Sequence, residues 1–485
     1  MKQKYSHLEG RIAGEQQTFA RPLRSLLRGD LVVCEAGISA SDAAALMRAR
    51  GVGSLVVVEA GRPAGILTSR DLVAALADGA GSQRVAERMT REPFSLPAHA
   101  LAYEAALAMI ARRIRHVLVT DEGRLVGVVS ERDLFSLQRL GLGEITMEIR
   151  LAEEIRVVVE IAAEVRKLTA RLVEQGVAAE QLTSLVSVLN DRLSQRVIEL
   201  VRKRHDLERI SWCWLAFGSE GRLEQTFSSD QDNGLLFRAH DAAPPGAVRE
   251  RLLPFAREVN EALDACGFPL CKGNVMASNP DLCLSADEWR AKMAGWIESS
   301  GPKALLEAVI CFDFRPLHGD GSLAEGLRAW VQELTRRHPA FLRHMAENAL
   351  RSQPGLGRLG GFVTDDVPGA KSTLDLKAQG AKIIIDAARI FALAHAVPQT
   401  NTAERLRAAH AALGMGDAEA NAAVDAFFVI QAIRLRIQAQ AQGTDVALQN
   451  RVDPAGLGRL ESTLLKESLR VARELQERLA LDYGL

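Results

Sequence analysis

The sequence predicts a multidomain α/β plus all-α protein, and three observations carry that expectation. Its 485 residues exceed one ordinary core and, at about 150 residues per domain, point to roughly three. A strand–helix–strand–strand–helix pattern occurs twice near the start, with matching positions 62 residues apart (130 − 68 and 133 − 71). Farther on, a short apolar strand breaks at Gly218-Ser219 and leads to an Asp-x-Asp pair, whereas the last third has apolar residues at helical spacing. The expected division is a polar tail at 1–22, a repeated unit at 23–142 (halves 23–83 and 84–142), a helical connector at 143–206, a core of mixed sheet with helices at 207–325 and a helical bundle at 326–485.

Composition excludes several classes. Sixty Lys and Arg against 61 Asp and Glu leave a net charge of −1, so bulk charge draws the chain neither to nucleic acid nor to an anionic membrane. Aromatics are 5%, too few for stacking platforms along a single strand. The opening MKQKYSHLEGRIAGEQQ lacks the apolar stretch of a secretory signal. The apolar run Ala381 to Val397 is interrupted by Lys382, Asp386 and Arg389, and no segment reaches the ~20 apolar residues of a membrane helix. Neither nucleic acid nor membrane is therefore expected as a partner, and the expected location is cytoplasmic. The six cysteines form no CxxC pair. Cys266, Cys271 and Cys283 lack both metal-ligand spacing and a nearby His, and all six read as reduced thiols.

The repeat lies in SLVVVEAGRPAGILTSRDLVAAL (54–76) and HVLVTDEGRLVGVVSERDLFSLQ (116–138), each preceded by an apolar-periodic helix, 39–51 and 101–113. One unit buries a single face, so the two should pack together. GILTSRD (65–71) and GVVSERD (127–133), doubled at this spacing, make the segment resemble a tandem pair of CBS domains. The resemblance implies that Thr68, Asp71, Ser130 and Asp133 contact the ribose and phosphate of an adenine nucleotide, AMP or ATP, in the cleft between the halves. A hydroxyl at a helix start suits an anion, and a carboxylate beside it suits a ribose diol. The alternative is that Thr68 and Ser130 simply cap their helices. The apolar helices 101–113 and 133–139 of such a pair favour a homodimer.

From Glu144 to His205 two amphipathic helices follow, with a break at Gly176, and the run Arg202-Lys203-Arg204-His205 reads as a solvated helix end. Next comes SWCWLAFGSEGRLEQTFSSDQDNGLLF (211–237): a strand over Trp212 to Phe217, the Gly218-Ser219 turn, and a second strand carrying Asp230 and Asp232. Residues two apart on a strand share a face. A Gly-Ser turn can take terminal phosphates through backbone N–H groups and the Ser219 hydroxyl, and two same-face carboxylates can hold Mg²⁺ ions about 4 Å apart for displacement at an α-phosphate.

This arrangement resembles the DNA polymerase β-type nucleotidyltransferase superfamily. GSEGRLEQTFSSDQDNGLLF, with Arg222 and Glu224, is similar to the N-terminal domain of PII-protein uridylyltransferase and closer still to a nucleotidyltransferase family that carries CBS domains on the same chain. Gln231 departs from the hydrophobic residue usual between the two carboxylates. The resemblance implies an NTP donor, Mg²⁺ at Asp230 and Asp232, phosphates cradled by Gly218, Ser219 and Arg222, and a third carboxylate. Asp313, in the apolar segment AVICFDFRPLHGD (308–320), is the candidate for completing the metal site and helping to activate the acceptor. An Asp313–Arg315 structural pair is the alternative; otherwise Arg315 is a candidate to hold Asp320 or a nucleotide phosphate.

Lys272 and Asn274 are candidate contacts in the turn-rich stretch between. The last third, notably LDLKAQG, DAARIFAL, AFFVIQAIRLRIQ and NRVDPAGL, resembles that family's substrate-binding bundle, with Lys377, Arg389 and Arg434 as candidate anion contacts. PGAKST (368–373) is no phosphate loop, because position 365 holds Asp where Gly is required. The functional expectation is Mg²⁺-dependent transfer of a nucleoside monophosphate to a protein or small-molecule acceptor, regulated by adenine nucleotide. The alternative is a non-catalytic nucleotide-sensing protein.

Overall fold

The computed structural model describes residues 21–485 apart from 28–30, 60–61, 78–81, 113, 131–141, 228, 240–243, 300, 358–359 and 442–449, and divides into two compact units, 1–144 and 145–485. In the first unit, β1 (Val33–Glu35), α1 (Ala40–Arg50), β2 (Ser54–Glu59), β3 (Arg62–Thr68), α2 (Ser69–Ala77) and β4 (Thr90–Arg91) make one half. The second half is β5 (Ser95–Pro97), α3 (Ala102–Arg112), β6 (His116–Asp121) and β7 (Arg124–Ser130). Ser39 starts α1 by accepting from the Asp42 N–H at 3.0 Å, and Gly51 ends it in the left-handed region (φ 64°).

Both sheets have a parallel first pair and an antiparallel second, and the ladder slips at the same place in each: between Val57 and Val58, and between Val119 and Thr120. Those positions are again 62 apart (119 − 57). Val56, Ile66 and Leu118, with Leu125 and Val128, form one apolar cluster joining the halves. The doubled unit thus buries its open faces against itself, as its sequence required.

In the second unit, α4 (Ile155–Glu174) and α5 (Ala179–Arg202) pack together beside a mixed sheet of order β10-β9-β8-β11. Its strands are β8 (Trp212–Ala216), β9 (Asn233–Phe237), β10 (Cys283–Ser285) and β11 (Arg315–Gly319). Every residue of β8 and β9 is buried, which explains why both read as apolar runs rather than alternations. Around the sheet lie α6 (Gly218–Gly221), α7 (Pro245–Ala265), α8 (Ala286–Ser299), α9 (Pro302–Cys311) and α10 (Gly321–Arg337). The bundle helices are α11 (Pro339–Ala349), α12 (Lys382–Ala394), α13 (Thr402–Ala409), α14 (Asp417–Gln440) and α15 (Arg459–Tyr483).

Core and bundle share this unit because one apolar cluster runs from Phe217 and Trp289 through Phe312 and Phe341 to Phe427 and Leu469, and the connector helices join it by packing α5 against α7 and both α4 and α5 against α14. Two local expectations change. Of the segment 308–320, which reads from sequence as an apolar strand, residues 308–311 instead close the helix 302–311 and Arg315–Gly319 form the strand: Pro302 opens the helix, and Ala304, Leu305, Glu307 and Ala308 favour it over the β-branched Val309 and Ile310. Within the expected all-helical third, β12 (Asp365–Val367), β13 (Ala370–Asp375) and β14 (Arg451–Val452) make a small antiparallel sheet. PGAKST is the β12–β13 turn and strand, with Gly369 at φ 85°.

Candidate functional site

The site begins where β8 ends. Gly218 adopts φ 53°, and a Cβ there would lie 2.7 Å from Asp232 Oδ2, so only glycine lets the turn approach that carboxylate. The Phe217 N–H donates to Asp232 O at 2.8 Å and fixes the segment entering β9 beside the turn. Asp230 and Asp232 lie in that entering segment, just before the strand proper, yet the alternation expected of a strand holds. Between them Gln231 turns the opposite way and is buried. Its amide donates to Asn260 O (2.9 Å) and Phe268 O (2.8 Å) and accepts from Asn260 Nδ2 (2.7 Å). The departure from a hydrophobic residue is therefore satisfied by hydrogen bonds rather than tolerated.

Ligand atoms of Asp230, Asp232 and Cys271 all lie within 4.8 Å of one another. Burial, and then the negative charge of Asp230, push the Asp232 carboxyl up to about 6, while the Cys271 thiol, Lys377 and Arg222 oppose the rise. Two carboxylates that repel in a half-buried place are a fitting seat for a divalent cation, and the space left by the missing Gly218 side chain serves the same end. Of the cysteine set considered from sequence, only Cys271 joins the pair; its one available signal was a position in a glycine-containing turn.

The cleft has a volume of about 330 Å³ and is walled by the Gly218-Ser219 turn, Arg222, Glu224, Asp230 and Asp232 from the core. Lys377, Lys382, Asp386, Arg389 and Arg434 contribute from the bundle. Lys272 and Asn274 are not among its lining residues.

Asp313 is placed differently from its expected role. It sits in the turn between α9 and β11, fully buried, and outside the lining of the cleft. Its Oδ2 accepts from Arg222 Nη1 (2.7 Å) and Arg389 Nη2 (2.6 Å), and its Oδ1 from Arg389 Nε (3.0 Å) and Arg405 Nη1 (2.6 Å). Burial alone would raise its pKa, but Arg389, Arg405 and Arg222 hold it well below the usual carboxylate range. Both oxygens being engaged by guanidiniums, it does not stand with Asp230 and Asp232 as a third oxygen ligand. Nor does it pair with Arg315, which instead bonds Asp191 (2.6 Å) and the Glu220 carbonyl. Asp320 caps α10 through Ser322. Beside the turn, burial and Asp191 push the Glu220 carboxyl up to about 8.

In the first unit Thr68 and Asp71 engage each other. Asp71 Oδ2 accepts from the Thr68 N–H (2.8 Å) and hydroxyl (2.7 Å), the helix-capping arrangement weighed against ligand contact. Ser130 ends β7 opposite His116, and Asp133 lies outside the described residues.

A buried mixed sheet with a Gly-Ser turn and a facing aspartate pair defines a nucleotidyltransferase-type core, here on one chain with a doubled βαββ unit. Comparison bears this out. Residues 163–303 match the family described as "Putative nucleotidyltransferase DUF294", residues 339–483 its "Putative nucleotidyltransferase substrate binding domain", and residues 23–78 and 85–139 each match the CBS domain. The chain belongs to this nucleotidyltransferase family, in a form carrying a tandem CBS pair.

Among curated proteins, the uncharacterized protein YlbB of Bacillus subtilis is 30% identical over 116 residues, 23% of this chain and 78% of that protein. The CBS domain-containing protein YhcV of Bacillus subtilis is 36% identical over 95 residues, 19% of this chain and 68% of that one. Among solved structures, the CBS-domain containing protein ATU1752 from Agrobacterium tumefaciens is 32% identical, covering 25% of this chain and 96% of its own, with TM-score 0.24. A CBS domain protein from Pyrobaculum aerophilum complexed with AMP is 26% identical, covering 26% of this chain and 99% of its own, with TM-score 0.24. Among the described residues no helix is long and apolar enough to cross a membrane.

Proposed function

We propose that the chain is a Mg²⁺-dependent nucleotidyltransferase that moves a nucleoside monophosphate from an NTP to a hydroxyl of a protein or small-molecule acceptor, in the manner of PII uridylylation. The observation that carries this is the convergence of Asp230 and Asp232 beside a turn whose Gly218 admits nothing larger. Asp230 and Asp232 would hold the cation, with Cys271 at its edge. Mg²⁺ bound there supplies charge neutralisation at the α-phosphate. In the transfer, the acceptor oxygen bonds to the α-phosphorus, the bond from that phosphorus to the bridging oxygen breaks, and pyrophosphate and the hydroxyl proton are released. Gly218 and Ser219 line the approach to the phosphates, and Arg222, tied to Glu224 at 2.8 Å and to Asp313, stiffens the turn that follows.

The CBS pair acts on this reading as the regulatory module, binding AMP or ATP through Thr68, Asp71, Ser130 and Asp133 and bringing two chains together as a cytoplasmic homodimer. Thr68 and Asp71 already occupy one place at a helix start, and the bond between them is what a ribose hydroxyl would replace.

Purified protein incubated with each labelled NTP, Mg²⁺ and cell extract should release pyrophosphate and label one acceptor. Asp230→Asn with Asp232→Asn should abolish both while leaving the melting temperature equal or higher, because it removes a repelling pair. Release unchanged in the double variant would make the pair non-catalytic.

A further inference from the structure

The cleft is walled by five basic side chains, three of which are already engaged. Arg222 bonds Glu224 and Asp313, Arg389 bonds Asp313 and Asp386, and Lys382 bonds Asp386. Two are left, Lys377 and Arg434, and neither has a carboxylate partner among the described residues. Both come from the bundle, whereas the carboxylate pair Asp230 and Asp232 comes from the core.

Arg434 is the more telling. It is 6% exposed, and among the described residues every acceptor on it is a neutral amide: Asn450 Oδ1 takes Nε (3.1 Å) and Nη2 (2.9 Å), and Gln431 Oε1 takes Nη1. A guanidinium is among the last groups to be buried without an anion. It has about five N–H donors, so this pattern orients the fork and leaves one N–H on each terminal nitrogen. Burial lowers its pKa to about 10, which still leaves it cationic at neutral pH.

Lys377 opens a π-type turn (Lys377–Ala381) pinned by Asp375, whose Oδ1 accepts from the N–H groups of Lys377 and Ala378, both at 2.9 Å. Gly380 keeps that turn close to α14, since a Cβ there would press Ile430 at 3.3 Å. This turn leads straight into α12, and π-type turns are frequent at functional sites. Lys377 lines the same cleft as Asp230 and Asp232.

We propose that Lys377 and Arg434 form a polyphosphate seat, so that the bundle holds the β- and γ-phosphates of the donor while the core holds the metal and the α-phosphate. This rests on the transferase reading of the cleft and adds to it the side from which the donor is held. A cleft with an acidic wall and an unpaired basic wall fits a ligand that carries several negative charges along its length and brings a cation with it, as a metal–nucleoside triphosphate does. The fixed fork of Arg434 suits two phosphate oxygens, and Lys377 supplies a mobile point charge at the mouth.

The test titrates the full chain calorimetrically with inorganic tripolyphosphate and Mg²⁺. Wild type should bind it. Arg434→Met and Lys377→Met should each weaken binding at least tenfold, Arg434→Lys should recover only part, and raised salt should weaken wild type more steeply than either Met variant. Melting curves run alongside. Lys377 is exposed on a turn, so its variant reports even if Arg434→Met is poorly folded. The proposal is overturned if wild type does not bind tripolyphosphate, or if folded Arg434→Met and Lys377→Met bind it within twofold of wild type. If transfer from NTP persists with unchanged KM in those variants, the transferase reading stands and this inference alone fails. If binding depends on Arg434 but no NTP yields pyrophosphate, the seat stands and the transferase reading fails.

Discussion

Replacing Asp313 by Asn changes one charge and almost no volume, in the most densely ionic part of the interior. The carboxylate takes four hydrogen bonds from three guanidiniums, all shorter than or equal to 3.0 Å. Without it, Arg222 keeps Glu224 and Arg389 keeps Asp386, but Arg405 keeps only the Gln399 carbonyl at 2.9 Å. Removing one member of a buried ion pair costs about 3–5 kcal/mol, because the partner stays buried and uncompensated. The Asn amide additionally turns two donors toward guanidiniums, so the upper part of that range is expected. With about 2.1 cal/mol/K of unfolding entropy per residue, such a loss in a unit of this size (145–485) lowers Tm by about 4–7 °C.

Scanning calorimetry of the second unit's transition in the full chain is the assay. Arg405→Met on the Asp313→Asn background should recover part of the loss, giving a non-additive pair. If Asp313→Asn melts within a degree or two of wild type, the buried-cluster reasoning is wrong. If it also loses metal-stimulated transfer, Asp313 is a metal ligand after all.

Other expectations follow from the same geometry. Glu220 has a folded pKa of about 8 against 4.5 unfolded, so the folded state binds its proton more tightly. Its effect is a stability that falls as pH rises between about 4.5 and 8, and Glu220→Gln should flatten that slope in Tm measured against pH. In the CBS pair, Asp71→Ala with Asp133→Ala should lose AMP or ATP binding by calorimetry while basal transfer persists. Nucleotide there should change donor affinity, and donor analogue should change nucleotide affinity, by one common factor, of order 1–3 kcal/mol. Light scattering at micromolar concentration should give the mass of a dimer, and a monomer mass would remove that expectation.

What could be read from sequence was whatever is local or periodic. The CBS-like repeat shows itself twice at a fixed offset, and even its ladder slip repeats. Gly218, Ser219, Asp230 and Asp232 sit within one turn and one strand entry, so spacing alone brings them together. Asp313 could not be read the same way: its partners Arg389 and Arg405 stand 76 and 92 residues later. Its own segment also carried a misleading pattern, for Val309 and Ile310 look like strand residues until Pro302 and the alanines around them are weighed. The sheet formed by β12, β13 and β14 escaped notice because its strands are short and one of them, Arg451–Val452, arrives late in the chain. Lys377 and Arg434 were visible as charges in sequence, but only the fold shows that, among the described residues, neither has a carboxylate partner.

The start of α13, with its cap Asn401, reaches back into the core at three points. Asn401 Nδ2 donates to Arg222 O (3.0 Å), the Thr402 N–H donates to Glu224 Oε1 (2.6 Å), and Arg405 meets Asp313. Core and bundle are thus welded through charges that neither piece can satisfy alone. A fragment ending near residue 325 would leave Asp313 with Arg222 alone, which it shares with Glu224, and an isolated bundle would strand Arg405. Core and bundle are therefore expected to be less stable apart than together. A working chimera would have to transplant the arginines of α12 and α13 together with the carboxylates they hold.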